Sequence, residues 1–584
     1  NDCMSLTGSS SGRMCERPSS ESASRRNSEN PGRYRALRTD DPNYARVLQF
    51  LLRRWCAVRQ STAALAPTIA SSLSHFRDHI RRRVEVLSPS SSIEANRARL
   101  FSSALEVFYQ DESDDEHQLS RPYTLDMGRG LMSRRCYFQL VSAAPPPDNS
   151  RILKNDLYTI VNRQSGNKIR GKKPEPSTSM AALLQERESG MPFRGIFTRG
   201  DKCRISSRLL PNYLSGTLSY PSKTFCGTFA RDGDIFMTAC QDCVIRIYDT
   251  SHANFNEFKT VPARDVGWSI LDMAVSPDGL YFVYSSWSEY LHLCNVYGDH
   301  EVHEALPLSP EDRRFCIFSV QFSCDGKDIL GGANDSCLYV YDRESHQRSL
   351  RIRAHEGDVN AVAFADKTSQ ILFSGGDDGL CKVWDRRTLS EQDPKPVGIL
   401  AGHSNGITFV DSKNDGRYLI TNSKDQTIKL WDMRAFSSKE GIKATREAVA
   451  GQKWDYRWQR VPKKLLEHRE KKLAGDTSLM TYQGHTVLQT LIRCHFSPVA
   501  TTGQKFIYSG CASGRVVLYD LLTGKIVTIF NSHKACVRDV SWHPYLPMLT
   551  STSWDGTVCN WVYNSDSEIM EDPKVNPGLE EQAE

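Results

Sequence analysis

The residues that could support chemistry are a Cys pair, a set of His residues and two short boxes that each carry an Arg. Cys240 and Cys243 form one C-x2-C pair, but a zinc site needs four ligands and no second pair follows. We interpret both as free thiols and expect no metal and no cofactor. The chain contains no P-loop, metalloprotease helix or nucleophile elbow. The sequence therefore predicts a non-catalytic binding protein, not an enzyme.

An internal repeat that begins near residue 225 is the most informative signal. Short apolar strands flank a Gly/Asp turn and end in Trp-Asp or a similar pair, as in Trp384-Asp385 and Trp431-Asp432. The equivalent positions are 248, 294, 341, 384, 431, 519 and 561, which lie 42 to 47 residues apart except for one step of 88. Repeats of this length predict four-stranded sheets in a ring, because one sheet cannot bury both of its faces alone.

The repeat pattern resembles the WD-repeat family over about 225–562, which implies an all-β, seven-bladed β-propeller. In that family a His, a turn Asp, a strand Ser or Thr and the Trp form a hydrogen-bonded tetrad. Ser288 and Ser513 stand where two units should have the turn Asp. We interpret the tetrads as structural, because buried polar groups need partners. The fitting sets are His355, Ser374, Asp378 and Trp384; His403, Thr421, Asp425 and Trp431; and His533, Ser551, Asp555 and Trp561.

The composition sets bounds on the class of protein. The 584 residues include 74 Lys plus Arg and 69 Asp plus Glu, and the resulting charge of +5 excludes a strongly basic nucleic-acid coat and an acidic tail protein. Seventeen Cys are too few for a disulfide-stapled domain. No apolar run is long enough for a membrane span. We expect a protein of the nucleus and cytoplasm that does not bind membranes.

The character of the chain changes near residue 200. Residues 1–40 are polar and predicted to be disordered. Apolar residues at helical spacing predict an amphipathic helix over 41–60, which packs either on its own domain or in a partner's groove. A low-order helical and linker region is predicted over 61–195, the propeller over 196–562, and a disordered acidic tail over 563–584.

Two features of the repeat region need separate explanations. The interval 435–482 is rich in Lys, Arg and Glu and lacks a strand–turn–strand pattern. We predict that it is an insertion between the fifth and sixth units. The last unit has no outer strand after Trp561, and we expect the segment from Cys203 to Leu210 to supply it, because a strand from the other end of the chain removes an exposed edge.

The two boxes that carry an Arg are Trp384-Asp385-Arg386-Arg387 and Trp431-Asp432-Met433-Arg434. Each final Arg follows a strand, where a guanidinium can reach out of the bottom of the propeller and contact a partner carboxylate or carbonyl. An ordinary loop Arg is the alternative, but two boxes in adjacent units are more specific. They resemble the box of substrate receptors of cullin-4 RING ubiquitin ligases. That resemblance implies that Arg387 and Arg434 bind the ligase's large DDB adaptor subunit and that Asp385 and Asp432 support them.

The opposite rim of the ring is predicted to bind a second protein. Residues that precede the turn Asp should face this rim, and exposed Trp side chains there favour anchoring of a partner. Partial burial of the Trp residues under long loops is the alternative that remains open. The candidate residues are Trp287, Trp554 and Lys424 at these turn positions, together with Arg538 and Asn360, which occupy corresponding positions early in their blades.

A closer resemblance, to the cullin-4-associated receptor family, covers 196–562. It is carried by segments such as Tyr284-Ser-Ser-Trp-Ser, Trp454 to Lys464 and His533 to Pro544. It implies a receptor that bridges the adaptor to proteins destined for ubiquitination and proteasomal degradation, with a stress-response bZIP transcription factor as one kind of substrate. The helix over 41–60 would be a second adaptor contact.

The alternative is a non-catalytic scaffold for RNA- or chromatin-associated complexes. It would use the basic residues of the insertion, since phosphate-dominated binding depends on clustered Lys and Arg. These residues are Lys463, Lys464, Arg469, Lys471 and Lys472.

Overall fold

Seven four-stranded antiparallel sheets occur in the part of the chain that the computed structural model describes, and they confirm the predicted seven-bladed β-propeller. The described residues are 147–167, 169–170, 173–174, 179–189, 196–251, 255–298, 302–310, 314–462, 465 and 472–565. The predicted disordered segment 1–40, the predicted helix 41–60 and the tail from 566 onward lie outside them.

Strands are numbered β1–β30 in chain order, and a short hairpin of β1 (Ile169–Arg170) and β2 (Lys173–Pro174) precedes the blades. Blade 1 consists of β4 (Thr224–Phe229), β5 (Ile235–Cys240), β6 (Val244–Asp249) and β7 (Asn256–Pro262). Blade 2 consists of β8 (Asp272–Val275), β9 (Tyr281–Ser285), β10 (Tyr290–Asn295) and β11 (His303–Pro307). Blade 3 consists of β12 (Ile317–Phe322), β13 (Asp328–Ala333), β14 (Cys337–Asp342) and β15 (Gln347–Arg353).

The remaining blades follow the same order, with one exception in the last. Blade 4 consists of β16 (Val359–Phe364), β17 (Ile371–Gly376), β18 (Cys381–Asp385) and β19 (Gly398–Leu400). Blade 5 consists of β20 (Ile407–Ser412), β21 (Tyr418–Ser423), β22 (Ile428–Asp432) and β23 (Met480–Tyr482). Blade 6 consists of β24 (Cys494–Phe496), β25 (Phe506–Gly510), β26 (Arg515–Asp520) and β27 (Ile526–Asn531). Blade 7 consists of β28 (Val537–Trp542), β29 (Met548–Ser553), β30 (Thr557–Val562) and β3 (Tyr213–Ser219).

Six helices are described in these residues. They are α1 (Ser150–Lys154), α2 (Asp156–Gln164), α3 (Met180–Glu188), α4 (Arg199–Ser206), α5 (Lys439–Ala450) and α6 (Val499–Thr502). No helix among the described residues has the length and apolar character that a membrane crossing requires.

The strand order gives the ring two distinct ends. The first strands of neighbouring blades contact one another, so the first strand of each blade is innermost. We call the end that carries the turns between second and third strands the top, and the end that carries the loops after first and third strands the bottom. The core lies between blades, and Gly375 shows how close they approach: a Cβ there would lie 2.6 Å from Cγ2 of Ile407 in the next blade.

The ring closes through β3, which pairs along β30 from Tyr213 opposite Val562 to Ser219 opposite Thr557. The prediction that a strand before the first repeat completes the last blade is correct, but the predicted segment, Cys203 to Leu210, is wrong. Thr198 and Asp201 form a capping box that starts α4, so the first half of that segment, up to Ser206, is helical and no part of it is a strand.

The basic insertion lies inside blade 5 and not between the fifth and sixth units, so that prediction is also wrong. The outer strand β23 pairs with β22, with Leu430 opposite Met480. The insertion therefore occupies residues 433–479, and its last residues return to complete the blade. The strand was missed because only three residues of β23 are paired.

A segment that we call the strap, residues 147–164, packs on the bottom of blades 5 and 6. It was predicted to be part of a linker. Ile152, Leu157 and Val161 are fully buried in one cluster with residues of both blades. Asn155 caps α2 by accepting a hydrogen bond from the backbone N–H of Leu157 at 3.0 Å. The apolar spacing of α2 carried this signal, but the Pro and Ser residues around it obscured it.

We expect Leu157→Ala to loosen the strap, because it leaves a cavity against blades 5 and 6. The free energy of opening of α2, measured by amide hydrogen exchange, should fall by roughly 2–4 kcal/mol. Leu153→Ala is the matched control, because Leu153 is 53% exposed and its removal should leave exchange unchanged. Equal protection in the two variants would contradict a docked strap.

Candidate protein-binding ends of the propeller

Hydrogen-bonded tetrads join the strands of blades 4 and 5. Nε2 of His355 lies 2.7 Å from Oγ of Ser374, which also accepts a hydrogen bond from Nε1 of Trp384 at 2.9 Å. Nδ1 of His355 lies 2.9 Å from Oδ1 of Asp378. These buried groups satisfy one another's hydrogen bonds, as the structural role predicted for them requires.

The tetrad of blade 5 has the same geometry. His403 lies 2.6 Å from Oγ1 of Thr421 and 2.9 Å from Oδ2 of Asp425, and Trp431 donates to Thr421 at 2.8 Å. Burial opposes ionisation of Asp425, but the contact with His403 outweighs it and lowers the pKa of that carboxyl to about 2. The Asp is therefore a fixed anion that orients the His.

Blade 7 departs from this geometry through one extra hydroxyl. His533 contacts Ser551 at 2.7 Å, and Trp561 donates to Ser551 at 3.0 Å. Nδ1 of His533 lies 2.8 Å from Oγ1 of Thr557 but 3.6 Å from Asp555. Thr557 therefore links the His to the turn Asp.

The Cys pair of blade 1 has no metal-site geometry. Cys240 is buried, Cys243 is half-buried, and both have free thiols. No group of three or more His, Cys, Asp or Glu side chains in the described ranges is placed to hold a metal ion.

An ion network that the sequence did not reveal connects blades across the centre of the ring. Nη2 of Arg493 lies 2.6 Å from Oδ1 of Asp272 in blade 2, and its Nη1 lies 3.0 Å from Oδ2 of Asp539 in blade 7. His495 lies between Asp411 of blade 5 and Asp539, at 3.7 Å from each. One cluster therefore ties four blades together across the channel. No local motif predicts it, because Arg493 and Asp272 are 221 residues apart.

Arg538 lies in the same channel, and the prediction that it faces a partner is wrong. Its side chain is 2% exposed. Its guanidinium donates hydrogen bonds at 2.6 Å to the carbonyl oxygens of Phe225 and Leu271. It therefore joins blades 7, 1 and 2 from inside the ring.

At the bottom end both predicted Arg side chains are solvent-exposed, Arg387 by 67% and Arg434 by 59%. Arg387 contacts its own Asp385 with Nε at 2.9 Å and Nη2 at 2.6 Å. Arg434 lies 3.4 Å from its own Asp432. Each Arg thus contacts a less exposed carboxylate at the end of a third strand, and its side chain extends into solvent.

A third Trp-Asp-x-Arg pattern occurs in the insertion, at Trp454–Arg457, but it lies at the opposite end. The ring of Tyr456 covers Nζ of Lys424 at 4.2 Å, in the top turn of blade 5. Arg457 is exposed and pairs with Asp455 at 2.8 Å. The four-residue pattern therefore occurs at both ends of the ring. Its Arg lies at the bottom in the two copies that end the third strand of a blade, and at the top in the copy within the insertion.

The insertion also corrects the predictions for Asn360 and Lys424. Asn360 is 4% exposed and Lys424 is 7% exposed. Lys424 pairs with Asp377 at 2.6 Å, and Asn360 donates to the same carboxylate. Both are therefore covered at the top of blades 4 and 5 and do not form an open binding face there.

The open part of the top end carries an aromatic surface, which we define as Trp268, Trp287 and Trp554. Trp268 is 49% exposed and Trp287 40% exposed, while Trp554 is half-buried. Phe225 connects two of them, with ring centroids 5.1 Å from Trp268 and 5.4 Å from Trp554. Gly267 packs against Trp287, since a Cβ at this Gly would lie 2.6 Å from Cβ of Trp287.

Trp268 was missed by the sequence analysis, because it lies in the link between blades 1 and 2 and outside the turn positions considered. A Trp within a short polar connection, in Asp265-Val-Gly-Trp268-Ser, was the available signal. The two Trp residues that were predicted, Trp287 and Trp554, lie at the end expected for them.

Comparisons with known proteins agree with this architecture. The profile of the family "WD domain, G-beta repeat" matches residues 346–385, 394–432 and 524–561. The LEC14B protein of Lithospermum erythrorhizon is 43% identical over 402 residues, which cover 67% of this chain and 83% of that protein. The DDB1- and CUL4-associated factor 11 homolog of Caenorhabditis elegans is 38% identical over 423 residues, which cover 70% of this chain and 73% of that protein.

The repeated blades, the tetrads and the exposed Arg boxes define a WD-repeat β-propeller protein with two separate candidate binding ends. A Caenorhabditis briggsae protein with the same name as the nematode relative is 35% identical over 443 residues, 73% of this chain and 77% of its own length. The chain belongs to the family of DDB1- and CUL4-associated factor 11 and LEC14B proteins. The resemblance to cullin-4-associated factors inferred from the sequence is thereby confirmed.

We expect the channel network to make stability depend on pH through His495. Burial lowers the pKa of this imidazole, but Asp411 and Asp539 outweigh burial and raise it to about 9. The stabilisation is therefore complete below pH of about 6.5 and is lost as pH rises through about 9. The unfolding free energy should fall over this interval in a denaturant titration.

His495→Gln is the variant that isolates this effect. Its unfolding free energy should approach that of the unmodified protein as pH rises, because the imidazole loses its charge there. A difference between the two proteins that stays constant from pH 6 to about 9.5 would show that His495 does not carry the pH dependence.

Proposed function

We propose that the protein is the substrate receptor of a cullin-4 RING ubiquitin ligase. Its bottom end binds the DDB1 adaptor, and its top end binds proteins destined for ubiquitination. The observation that carries this proposal is the pair of exposed Arg side chains, Arg387 and Arg434, in adjacent blades at one end of the ring. Family membership supplies the identity of the adaptor, since the relatives' printed name includes DDB1 and CUL4.

The bottom end suits an acceptor-bearing partner. Each guanidinium offers several N–H donors in a planar fork, which fits a carboxylate or a pair of carbonyl oxygens. Asp385 and Asp432 are 13% and 5% exposed, and each contacts Nε and Nη2 of its Arg, while more than half of each Arg side chain is exposed. A partner can therefore bind the Arg groups without disturbing the strands.

The top end suits a different partner. The aromatic surface offers large apolar groups that a bound peptide can cover, and Lys223 adds a positive charge 4.5 Å from the ring of Trp554. We propose that it receives the substrate, and that a stress-response bZIP transcription factor is one substrate class. Because the top and bottom are opposite ends of the strands, both partners can bind at once.

In this role the protein is non-catalytic, and the ligase supplies the transfer of ubiquitin. The buried His, Ser and Asp groups that resemble a catalytic set are hydrogen-bonded to one another within the tetrads. We propose that the receptor acts in the nucleus and the cytoplasm. The scaffold alternative gains no specific support from the structure. Lys472 is the one residue of its five basic residues that the structure describes, and Lys472 pairs with Asp148 at 3.1 Å.

The double variant Arg387→Ala/Arg434→Ala should lose DDB1 in a co-purification, because it removes both exposed guanidinium groups. Binding measured with purified DDB1 should weaken at least tenfold, which corresponds to about 1.4 kcal/mol or more. Circular dichroism should show an unchanged fold.

Arg457→Ala is the matched control for this experiment. Arg457 belongs to the same four-residue pattern and pairs with Asp455, but it lies at the top end, so DDB1 binding should persist. Retention of DDB1 by the folded double variant would refute the proposed bottom-end contact.

The double variant Trp268→Ala/Trp287→Ala should reduce substrate binding at the top end and leave DDB1 binding at the bottom end unchanged. After proteasome inhibition, quantitative mass spectrometry of proteins co-purifying with the variant should show undiminished DDB1 and several-fold less of the bound substrates. The physical reason is the loss of the exposed aromatic rings at the top, which do not contact the bottom. Equal recovery of substrates by both proteins would place the substrate elsewhere.

A further inference from the structure

The two Arg boxes are alike in sequence but differ in how their guanidinium groups are held. Arg387 forms a closed fork with Asp385, in which Nε and Nη2 each bond a separate carboxylate oxygen at 2.9 and 2.6 Å. This contact lowers the pKa of Asp385. A partner acceptor that takes these donors must displace a short, charge-assisted pair.

Arg434 is held more loosely. Its Nε and Nη2 both lie 3.4 Å from Asp432, near the limit of a hydrogen bond. Its Nη2 is also 3.4 Å from Oδ2 of Asp156 on the strap. The N–H donors of Arg434 are therefore more available to a partner's acceptor than those of Arg387.

The difference arises because other groups occupy the carboxylate of Asp432. Arg417 donates to Oδ2 of Asp432 from Nη2 at 3.0 Å and from Nε at 3.2 Å. Asn155 of the strap donates to the same oxygen at 3.2 Å. Asp432 thus divides its charge among three side chains, whereas in the described residues Asp385 meets one guanidinium.

Blade 4 lacks the competing cation. Strand pairing places Tyr418 opposite Asp432 and Ile371 opposite Asp385, so Gln370 of blade 4 is the equivalent of Arg417. The amide of Gln370 donates to the carbonyl oxygen of Thr368 at 3.2 Å instead.

The strap then fixes Arg417 in place. Asp156 accepts from Nη1 of Arg417 at 2.9 Å. The hydroxyl of Tyr418 donates to Oδ1 of Asn155 at 2.6 Å, and the guanidinium of Arg417 lies 4.7 Å from the ring of Tyr418. Asn155 and Asp156 are held by the buried apolar residues of α1 and α2, so the arrangement depends on docking of the strap.

We propose that the two boxes are unequal, that Arg434 is the principal Arg for an acceptor on the adaptor, and that Arg417 and the strap make it so by drawing Asp432 away from it. This inference rests on the proposed function and adds to it which Arg dominates and which residues position it. Arg387 has a minor role because its fork is already satisfied. Arg417, Asn155 and Asp156 are positioning residues.

The first test compares single variants of the full chain in binding to purified DDB1 by biolayer interferometry. Arg434→Ala should weaken affinity at least tenfold, and Arg387→Ala less than threefold. Equal losses, or a larger loss for Arg387→Ala, would overturn the inequality and leave the proposed function standing. Unchanged affinity in both single variants and in the double variant would instead refute the proposed function.

The second test addresses the positioning residue. Arg417→Gln gives blade 5 the residue that blade 4 has, so Asp432 should close on Arg434 and weaken DDB1 binding at least threefold. Arg417→Lys keeps a cation beside Asp432 and should bind within twofold of the unmodified protein. In an Arg434→Ala background Arg417→Gln should have no further effect.

The background experiment distinguishes positioning from general loss of structure. If Arg417→Gln weakens binding equally with and without Arg434, it acts by disrupting the bottom end, and the proposal is wrong. Gln370→Arg is the converse variant and is made in the Arg434→Ala background. It should draw Asp385 away from Arg387 and raise the affinity for DDB1 at least twofold above that of Arg434→Ala alone. Absence of any restoration in a folded variant would also count against the proposal.

Discussion

The pairing of β3 with β30 is the interaction on which the rest of the molecule depends. Six blades complete themselves within continuous stretches of chain, but blade 7 takes its outer strand from residues that precede blade 1. The chain segments before blade 1 and at the end of blade 7 are thereby hydrogen-bonded to each other, and the outer edge of β30 is paired. Because the ring is closed, every top turn faces one way and every bottom loop the other. The separation of the two candidate binding ends follows from that closure.

Charged groups reinforce the ring from inside and shape it at the bottom. In the channel Arg493 and Arg538 connect blades that are far apart in sequence, and their partners are buried carboxylates and carbonyl oxygens. At the bottom a similar principle applies at an exposed site, where Asp432 serves Arg417, Asn155 and Arg434 together. A carboxylate with several donors holds each one less tightly than a carboxylate with a single donor. In our proposal, the number of donors around each Asp sets how available its Arg is to another protein.

The insertion and the strap give this propeller its particular surfaces. The insertion leaves the bottom of blade 5, passes through α5 and covers the top of blades 4 and 5 with Tyr456 before it returns as β23. It restricts the open top to the side that bears Trp268, Trp287 and Trp554. The strap covers the bottom of blades 5 and 6 beside Arg434. The strap comes from a stretch predicted to be a linker and the insertion from a stretch without a strand pattern, and both contain a few buried apolar side chains.

The sequence by itself determined the seven blades, the three tetrads and the two Arg boxes, because each of these depends on residues close together within a repeat. The spacing of Trp384 and Trp431 and the residues around them are enough to predict the strands and their ends. Only the tertiary structure decided that Tyr213–Ser219 and not Cys203 to Leu210 closes the ring, that Asn360, Lys424 and Arg538 are covered, and that Trp268 is exposed. It also decided that the third Trp-Asp-x-Arg pattern, Trp454–Arg457, lies at the top. The physical reason is that these outcomes depend on contacts between segments far apart in the sequence, such as the contact of Asn155 with Asp432 across 277 residues. No local sequence pattern specifies which distant side chain forms such a contact.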